Sequence, residues 1–404
     1  MNKLLDYLHL RDLGGLELLM AFYPILVAYT IFGLPLGIVL SAVLTAYIFL
    51  SKSKKMRFHK NPIFIWAIFM ALHDVLMLMV VDKGQGVFVN SLIGSIIYLA
   101  GTLVIGNIID FRRFRGAINW ISLLCIAGMV YHFMLVLRGM SFSPIQLPFM
   151  PEQDATDRMF WEVDRPTSFF MEPQSYVSYM LIPLFLALEE RKWLWGGLIT
   201  VTIFMSSSTT GFLIVFILIG LMMFLGGGVG KKNIWATRIL MLVLGVSMLF
   251  FLMRSNLFEQ GMERTINKNE NIEDEIRLVQ GPVLVMNMQI VDLPLGIPYT
   301  NAYQYAIVRG LSDQIIIYGD NSVFVPTFWL CLLRFGIIGL FLYLGIYWYY
   351  YKRNKAIRPY IICLAVLLIT NPDFVGASFL FEFIFIISYH RYYIANEKKV
   401  YNKA

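Results

Sequence analysis

PIFIWAIFMALHDVLMLMVV, residues 62–81, is an almost unbroken apolar run in which His73 and Asp74 are the titratable exceptions. At about 1.5 Å of rise per residue such a run makes a helix about 30 Å long, the thickness of a bilayer's hydrocarbon core. Comparable runs lie near 16–32, 34–50, 88–109, 117–137, 172–188, 193–205, 211–226, 237–253, 323–349, 359–371 and 375–393. They predict an all-α polytopic membrane protein with about 12 transmembrane helices. The totals agree: 404 residues are 58% hydrophobic and 15% charged, with a mean hydropathy of +0.67. No water-facing surface tolerates that balance, which excludes soluble enzymes, disordered scaffolds and secreted disulfide modules. The runs are continuous and do not alternate with period two, so an outer-membrane barrel is excluded too.

The net charge of +7 could suggest a nucleic-acid partner, but its placement argues otherwise. Basic residues gather in short loops between the runs: Lys52, Lys54, Lys55, Arg57 and Lys60, then Arg112, Arg113 and Arg115, then Lys352, Arg353, Lys355 and Arg358. The loops on the other side that are short enough to count hold only Lys83, Arg138, Arg158 and Arg165. The excess of positive charge on one side predicts cytoplasmic N- and C-termini. No cleavable signal peptide is expected, because Met1–Asp12 is polar and no small-residue cleavage site follows the first apolar run. Cys125, Cys331 and Cys363 all sit inside apolar runs, so neither a disulfide frame nor a thiolate metal site is expected. Nucleotide-binding loops, zinc signatures and EF-hands are missing from the sequence, and the acidic cluster Glu273-Asp274-Glu275 is too isolated to predict a metal.

Two segments break the rhythm of tight hairpins, and both fall on the outer side. The resulting organisation is 1–137 for helices one to five, 138–171 for a first large periplasmic loop, 172–253 for helices six to nine, 254–322 for a second large loop, and 323–404 for helices ten to twelve and a cytoplasmic tail. In the second loop Pro282 is placed to open a surface helix, with Val283, Met286 and Ile290 at helical spacing and Pro294, Gly296 and Pro298 ending it. An inverted-repeat transporter would carry matching interrupted helices in both halves, and the sequence offers no such pair.

The loops hold the residues that could do chemistry. Arg165 and Glu172 flank the start of the sixth run. A guanidinium presents a planar donor fork suited to phosphate oxygens, while a carboxylate at a helix start also favours the positive end of the dipole. Arg277 precedes the surface segment, and Asp320 with Asn321 closes the second loop. Asp320 is either an N-cap or a general base for a sugar hydroxyl. No histidine lies in either large loop, so an outer-face base is expected to be a carboxylate. His73, beside Asp74, and His132 fall within spans, where interhelical hydrogen bonding is the expected role. Arg334 lies inside the tenth run, where an unpaired charge costs roughly 2.5–3.5 kcal/mol. Its partner is expected to be Glu382, with Asp74 or a ligand phosphate as alternatives. The turn Ser206 to Gly211, Ser207 included, either permits close packing or offers hydroxyls to substrate.

Taken in order, RPTSFFMEP at Arg165 to Pro173, SSSTTG at Ser206 to Gly211, IRLVQGPVLVM at Ile276 to Met286, and GDNSVF at Gly319 to Phe324 followed by RFGIIGL resemble Wzy-type polysaccharide polymerases, in particular the colanic-acid and capsule branch of the O-antigen ligase and polymerase superfamily. The resemblance covers about residues 160–345. It implies a bacterial inner-membrane glycosyltransferase that joins undecaprenyl-pyrophosphate-linked repeat units on the periplasmic face. Donor and acceptor would both be lipid-linked glycans; a Wzz-type chain-length regulator and a Wzx-type flippase are the implied partners, and neither metal nor cofactor is implied. On this resemblance Arg165 and Arg277 hold the pyrophosphate and the base is Asp320 or Glu172; Asn321, Ser207 and Arg334 are further candidates for contact with substrate. The ligase branch more often has a histidine beside an asparagine where this chain has Asp320. The competing functions are an O-antigen ligase-type transferase, and a lipid-linked oligosaccharide flippase or transporter.

Overall fold

The computed structural model describes residues 6–10, 13–31, 34–52, 61–80, 85–148, 150, 165–225, 280–297, 302–311, 315, 323–372 and 374–401. The run predicted at 237–253, residues 151–164 of the first large loop and most of the second, with Arg277, Asp320 and Asn321, lie outside the described residues.

The described chain is predominantly helical. Its elements are α1 (Gly15–Leu26), β1 (Thr30–Ile31), β2 (Leu34–Pro35), α2 (Leu36–Lys52), α3 (Pro62–Val80), α4 (Gln85–Gly106), α5 (Phe111–Leu137), α6 (Pro173–Glu189), α7 (Trp193–Met205), α8 (Thr209–Leu225), α9 (Ala302–Val308), α10 (Thr327–Arg353), α11 (Arg358–Thr370) and α12 (Ala377–Tyr401). Among the described residues four helices are long and apolar enough to cross a membrane: Pro62–Val80, Val89–Gly106, Phe111–Leu137 and Thr327–Arg353. Five further apolar helices, such as Gly15–Leu26 and Trp193–Met205, are shorter than a straight crossing of the hydrocarbon core needs.

Several helix ends differ from the hydropathy reading, each for a local reason. The first helix stops at Leu26 and not near 32. Beyond it Thr30 and Ile31 pair antiparallel with Leu34 and Pro35, because β-branched side chains and the residue before a proline both favour extended backbone. Helix α5 starts at Phe111, not 117, since the Asp110 carboxylate caps it by accepting from the backbone N–H of Arg112 (2.8 Å) and Arg113 (3.4 Å). Helix α10 waits until Thr327 because Pro326 holds extended ψ as its N-cap; the Thr327 N–H and hydroxyl both donate to the Asn371 carbonyl, at 2.7 and 2.8 Å. In the second loop the helical stretch is already under way at Gln280 and ends at Met286. Pro282 therefore does not open it, Ile290 is not part of it, and the anchor is the fully buried Leu284. The sequence pattern misled because Met286 and Ile290, apolar as they are, point outward.

The chain divides into two compact units that interleave along the sequence. The first comprises Met1–Gly37, Asp110–Asn269 and Ala356–Cys363. In it α1 packs on α5, α5 on α6 and α7, and α6 on α7 and α8. Helix α6 is its centre, with every residue from Tyr179 to Leu188 buried. The second unit comprises Ile38–Ile109, Glu270–Lys355 and Leu364–Ala404. Here α3 packs on α4 and α10, and α4 on α12. An aromatic cluster joins α3 to α10, with Trp66 edge-on to Phe335 at 5.2 Å and Phe335 stacked on Phe374 at 5.5 Å. A second small core in this unit joins residues 284–306 to α10, where Leu284, Ile297, Tyr305, Ala306 and Leu333 meet.

Candidate functional site

In the first unit the segment from Arg165 to Pro173 is clamped onto α5 through its backbone. Ser168 adopts φ +58°, a left-handed conformation that non-glycine residues take at a cost of about 1–3 kcal/mol. Three hydrogen bonds hold it there: its N–H donates to His132 Nδ1 (3.2 Å), its hydroxyl to the Cys125 carbonyl (2.8 Å), and its carbonyl accepts from the Ile145 N–H (2.9 Å). The Thr167 N–H also approaches His132 Nδ1, at 3.4 Å. An imidazole nitrogen that accepts carries no proton, so the tautomer of His132 is the one protonated at Nε2. The expectation of an interhelical role for His132 is thus corrected, because its acceptor serves the loop backbone.

This clamp sets where Arg165 can reach. Its Nη2 donates to the Ser207 carbonyl at 3.0 Å, which brings the RPTSFFMEP and SSSTTG segments together. Ser207, with φ +52°, meets Arg165 through its backbone, and the neighbouring hydroxyls are used locally. Ser206 Oγ donates to the Ile203 carbonyl (2.6 Å), and Ser208 Oγ accepts from the Gly211 N–H (3.2 Å). Those two contacts finish α7 and begin α8. Glu172 is the N-cap of α6 with extended backbone; its carbonyl accepts from the Tyr176 N–H, while its side chain does not cap the helix.

At the other end of α6, Glu190 gathers three basic side chains. Arg115 donates to Oε1, Lys192 lies 2.6 Å from Oε2, and His9 Nε2 lies 3.1 Å from the same oxygen. Burial pushes the Glu190 carboxyl up, but the His9 hydrogen bond, Lys192 and the Arg115 charge outweigh it and hold the group down at about 2. That end is an electrostatic anchor.

Arg334 belongs to the second unit and is buried. Its Nη2 donates to Asp74 Oδ2 at 2.7 Å, and its Nη1 to Ser91 Oγ at 2.9 Å. Asp74, on the α3 run, is the carboxylate partner, which corrects the expectation of Glu382. The network continues, with Asp74 Oδ1 lying 3.2 Å from His73 Nδ1 and His73 Nε2 lying 2.6 Å from the Leu295 carbonyl. A carbonyl can only accept, so Nε2 is the donor there.

The same place holds a break in α10. Gly336 has φ +65° and ψ −167°, which interrupts the helix two residues after Arg334. The backbone groups freed by the break are taken up by residues 293–297, since Ile297 N–H donates to the Leu333 carbonyl (2.9 Å), Ile337 N–H to Leu293 (2.9 Å) and Ile338 N–H to Pro294 (3.2 Å). Two glycines make the approach possible. A Cβ on Gly296 would lie 2.2 Å from the Arg334 carbonyl oxygen, and one on Gly336 would lie 2.4 Å from the Pro294 carbonyl carbon. Non-helical backbone at this depth is tolerated because protein satisfies it. The splice between residues 293–297 and α10 escaped the sequence reading; its trace there is the glycine in Pro294-Leu-Gly296 and in Arg334-Phe-Gly336.

The structure thus joins Arg165 to Ser207 in one unit and Arg334 to Asp74 in the other, while Glu172 stands at the helix that follows Arg165. Among the described residues no group of three or more His, Cys, Asp or Glu side chains is arranged to hold a metal ion. The chain matches none of the family models, curated proteins or solved structures with which it was compared.

Proposed function

We propose that this protein is a polysaccharide polymerase of the bacterial inner membrane, a multi-pass glycosyltransferase with about 12 spans and cytoplasmic termini. It joins undecaprenyl-pyrophosphate-linked repeat units at the periplasmic face. In the reaction a hydroxyl of the acceptor sugar attacks the anomeric carbon of the donor glycan. The bond from that carbon to the pyrophosphate oxygen breaks, the pyrophosphate leaves on its lipid, and the hydroxyl proton passes to a carboxylate, Asp320 or Glu172. Because pyrophosphate is already a competent leaving group, the protein's main task is to fix positive charge where negative charge accumulates.

The observation that supports this reading is the contact of Arg165 with the Ser207 carbonyl, which unites two of the polymerase-like segments around a guanidinium near the start of α6. The experiment is reconstitution of the purified protein in vesicles with lipid-linked repeat units and no other acceptor. A ladder of polymer is expected. In cells, Arg277→Ala should leave single lipid-linked repeats intact while long chains vanish, and normal-length polymer at normal protein levels rejects the assignment. Unchanged turnover in Asp320→Asn moves the base to Glu172.

The break in α10 favours one second reading, a lipid-linked oligosaccharide flippase, because interrupted helices beside buried charge recur in transporters. Movement of the lipid-linked glycan across the vesicle wall without new glycosidic bonds would select it.

A further inference from the structure

Helices α3 and α10 enclose a groove of about 420 Å³ that neither the buried network nor the polymerase reading uses. Its size falls within the range of about 300–1,000 Å³ typical of small-molecule sites. The walls are apolar, with Ile65 and Trp66 on α3 and Phe341 and Leu342 on α10. Gly345 contributes only backbone, and a Cβ there would meet nothing within 4 Å. At the end of the groove the last turn of α10 supplies Lys352 and Arg353.

Both cations are seated on aromatic faces: the Lys352 ammonium lies 4.7 Å from the Trp348 ring centre and the Arg353 guanidinium 4.4 Å from that of Tyr349. Cation–π seating orients the heads and leaves N–H donors for an anion. Among the described residues no carboxylate is paired with either. Ile65 and Phe341 stand on the outward surface, 53% and 71% exposed, on two helices long enough to cross a membrane. That surface faces acyl chains in a bilayer. The groove therefore offers a dry trough ending in two positive charges.

We propose that it binds one anionic glycerophospholipid of the surrounding leaflet, with an acyl chain along the Ile65 and Phe341 walls and the headgroup phosphate between Lys352 and Arg353. A neutral phospholipid satisfies the walls but not the net charge, and a free phosphate satisfies the charge but not the walls. Basic pockets between spanning helices recognise anionic headgroups in this manner. The bound lipid would brace α3 against α10, the helices that carry Asp74 and Arg334.

Native mass spectrometry of the full-length protein in detergent tests this, by titrating phosphatidylglycerol against phosphatidylcholine of identical acyl chains. One phosphatidylglycerol is expected to be retained at least tenfold more tightly than phosphatidylcholine. Replacing both cations, Lys352→Gln with Arg353→Gln, should cost that preference. Gly345→Leu fills the trough with no change of charge and should weaken phosphatidylglycerol by a similar factor. The proposal is overturned if phosphatidylcholine is held as tightly, if inorganic phosphate competes fully, or if Gly345→Leu elutes like wild type and still binds phosphatidylglycerol normally.

Discussion

Arg165 stands just before an apolar helix and Arg334 inside one, and the protein treats them in opposite ways. Around Arg165 the backbone is fixed, by Ser168 on His132 and Cys125, and the half-buried side chain ends on a turn carbonyl. Around Arg334 the side chain is fixed, sealed against Asp74 and Ser91 while its own helix is broken two residues on and spliced to residues 293–297. The buried carboxylate of Asp74 cancels the positive charge of Arg334. That arrangement suits holding a fold. Sequence reasoning expected Glu382 as the partner of Arg334, with Asp74 or a ligand phosphate as alternatives, and the structure places Asp74 there at 2.7 Å.

The comparison can be broken most forcefully at Arg334. Arg334→Met leaves Asp74 as an uncompensated buried charge and should cost about 3–5 kcal/mol, read as a large drop in Tm in detergent. Adding Asp74→Leu should recover most of it, and a double variant no more stable than the single would show that the pair is not structural. Arg165→Ala should do the reverse, slowing polymer formation in vesicles by about 100- to 1,000-fold while Tm moves little. A collapse of Tm with activity per folded molecule retained would make the two arginines alike.

Smaller changes sharpen the contrast. Gly336→Ala puts a side chain against the Pro294 backbone at positive φ and should cost about 1–3 kcal/mol, with hydrogen exchange rising first at residues 293–297. Glu190 gives a pH signature. Its folded-state value, about 2, lies below the ordinary 4.5, so its contribution is full above about 4.5 and is lost as pH falls towards 2. Glu190→Gln should flatten that acid limb of the Tm profile. Ser168→Ala removes the bond to the Cys125 carbonyl and should cost about 1 kcal/mol, with loosening confined to the Arg165–Pro173 segment.

Much of the architecture is written in composition, because a bilayer admits few solutions: backbone groups must be satisfied within the helix, and about 20 apolar residues are needed to cross. Hydropathy therefore found the α3 run, and the proline and aspartate signals explain the helix ends it missed. The site was less legible. Arg165, Glu172 and Ser207 stood out as polar groups at apolar margins and Arg334 as a charge inside an apolar run, which are one-dimensional signals. Their partners were hidden, since Arg165 and Ser207 are 42 positions apart, and Arg334 and Asp74 are 260 apart.

The sequence by itself determined that this is a helical membrane protein, where its apolar runs lie and which charges stand inside or beside them, because those properties follow from local hydropathy. Only the tertiary structure decided that Asp74 neutralises Arg334, that His132 holds the Arg165 segment, and that residues 293–297 mend the break at Gly336. Hydrogen bonds and ion pairs depend on distances of about 3 Å, and no periodicity in a chain specifies which distant residues come that close.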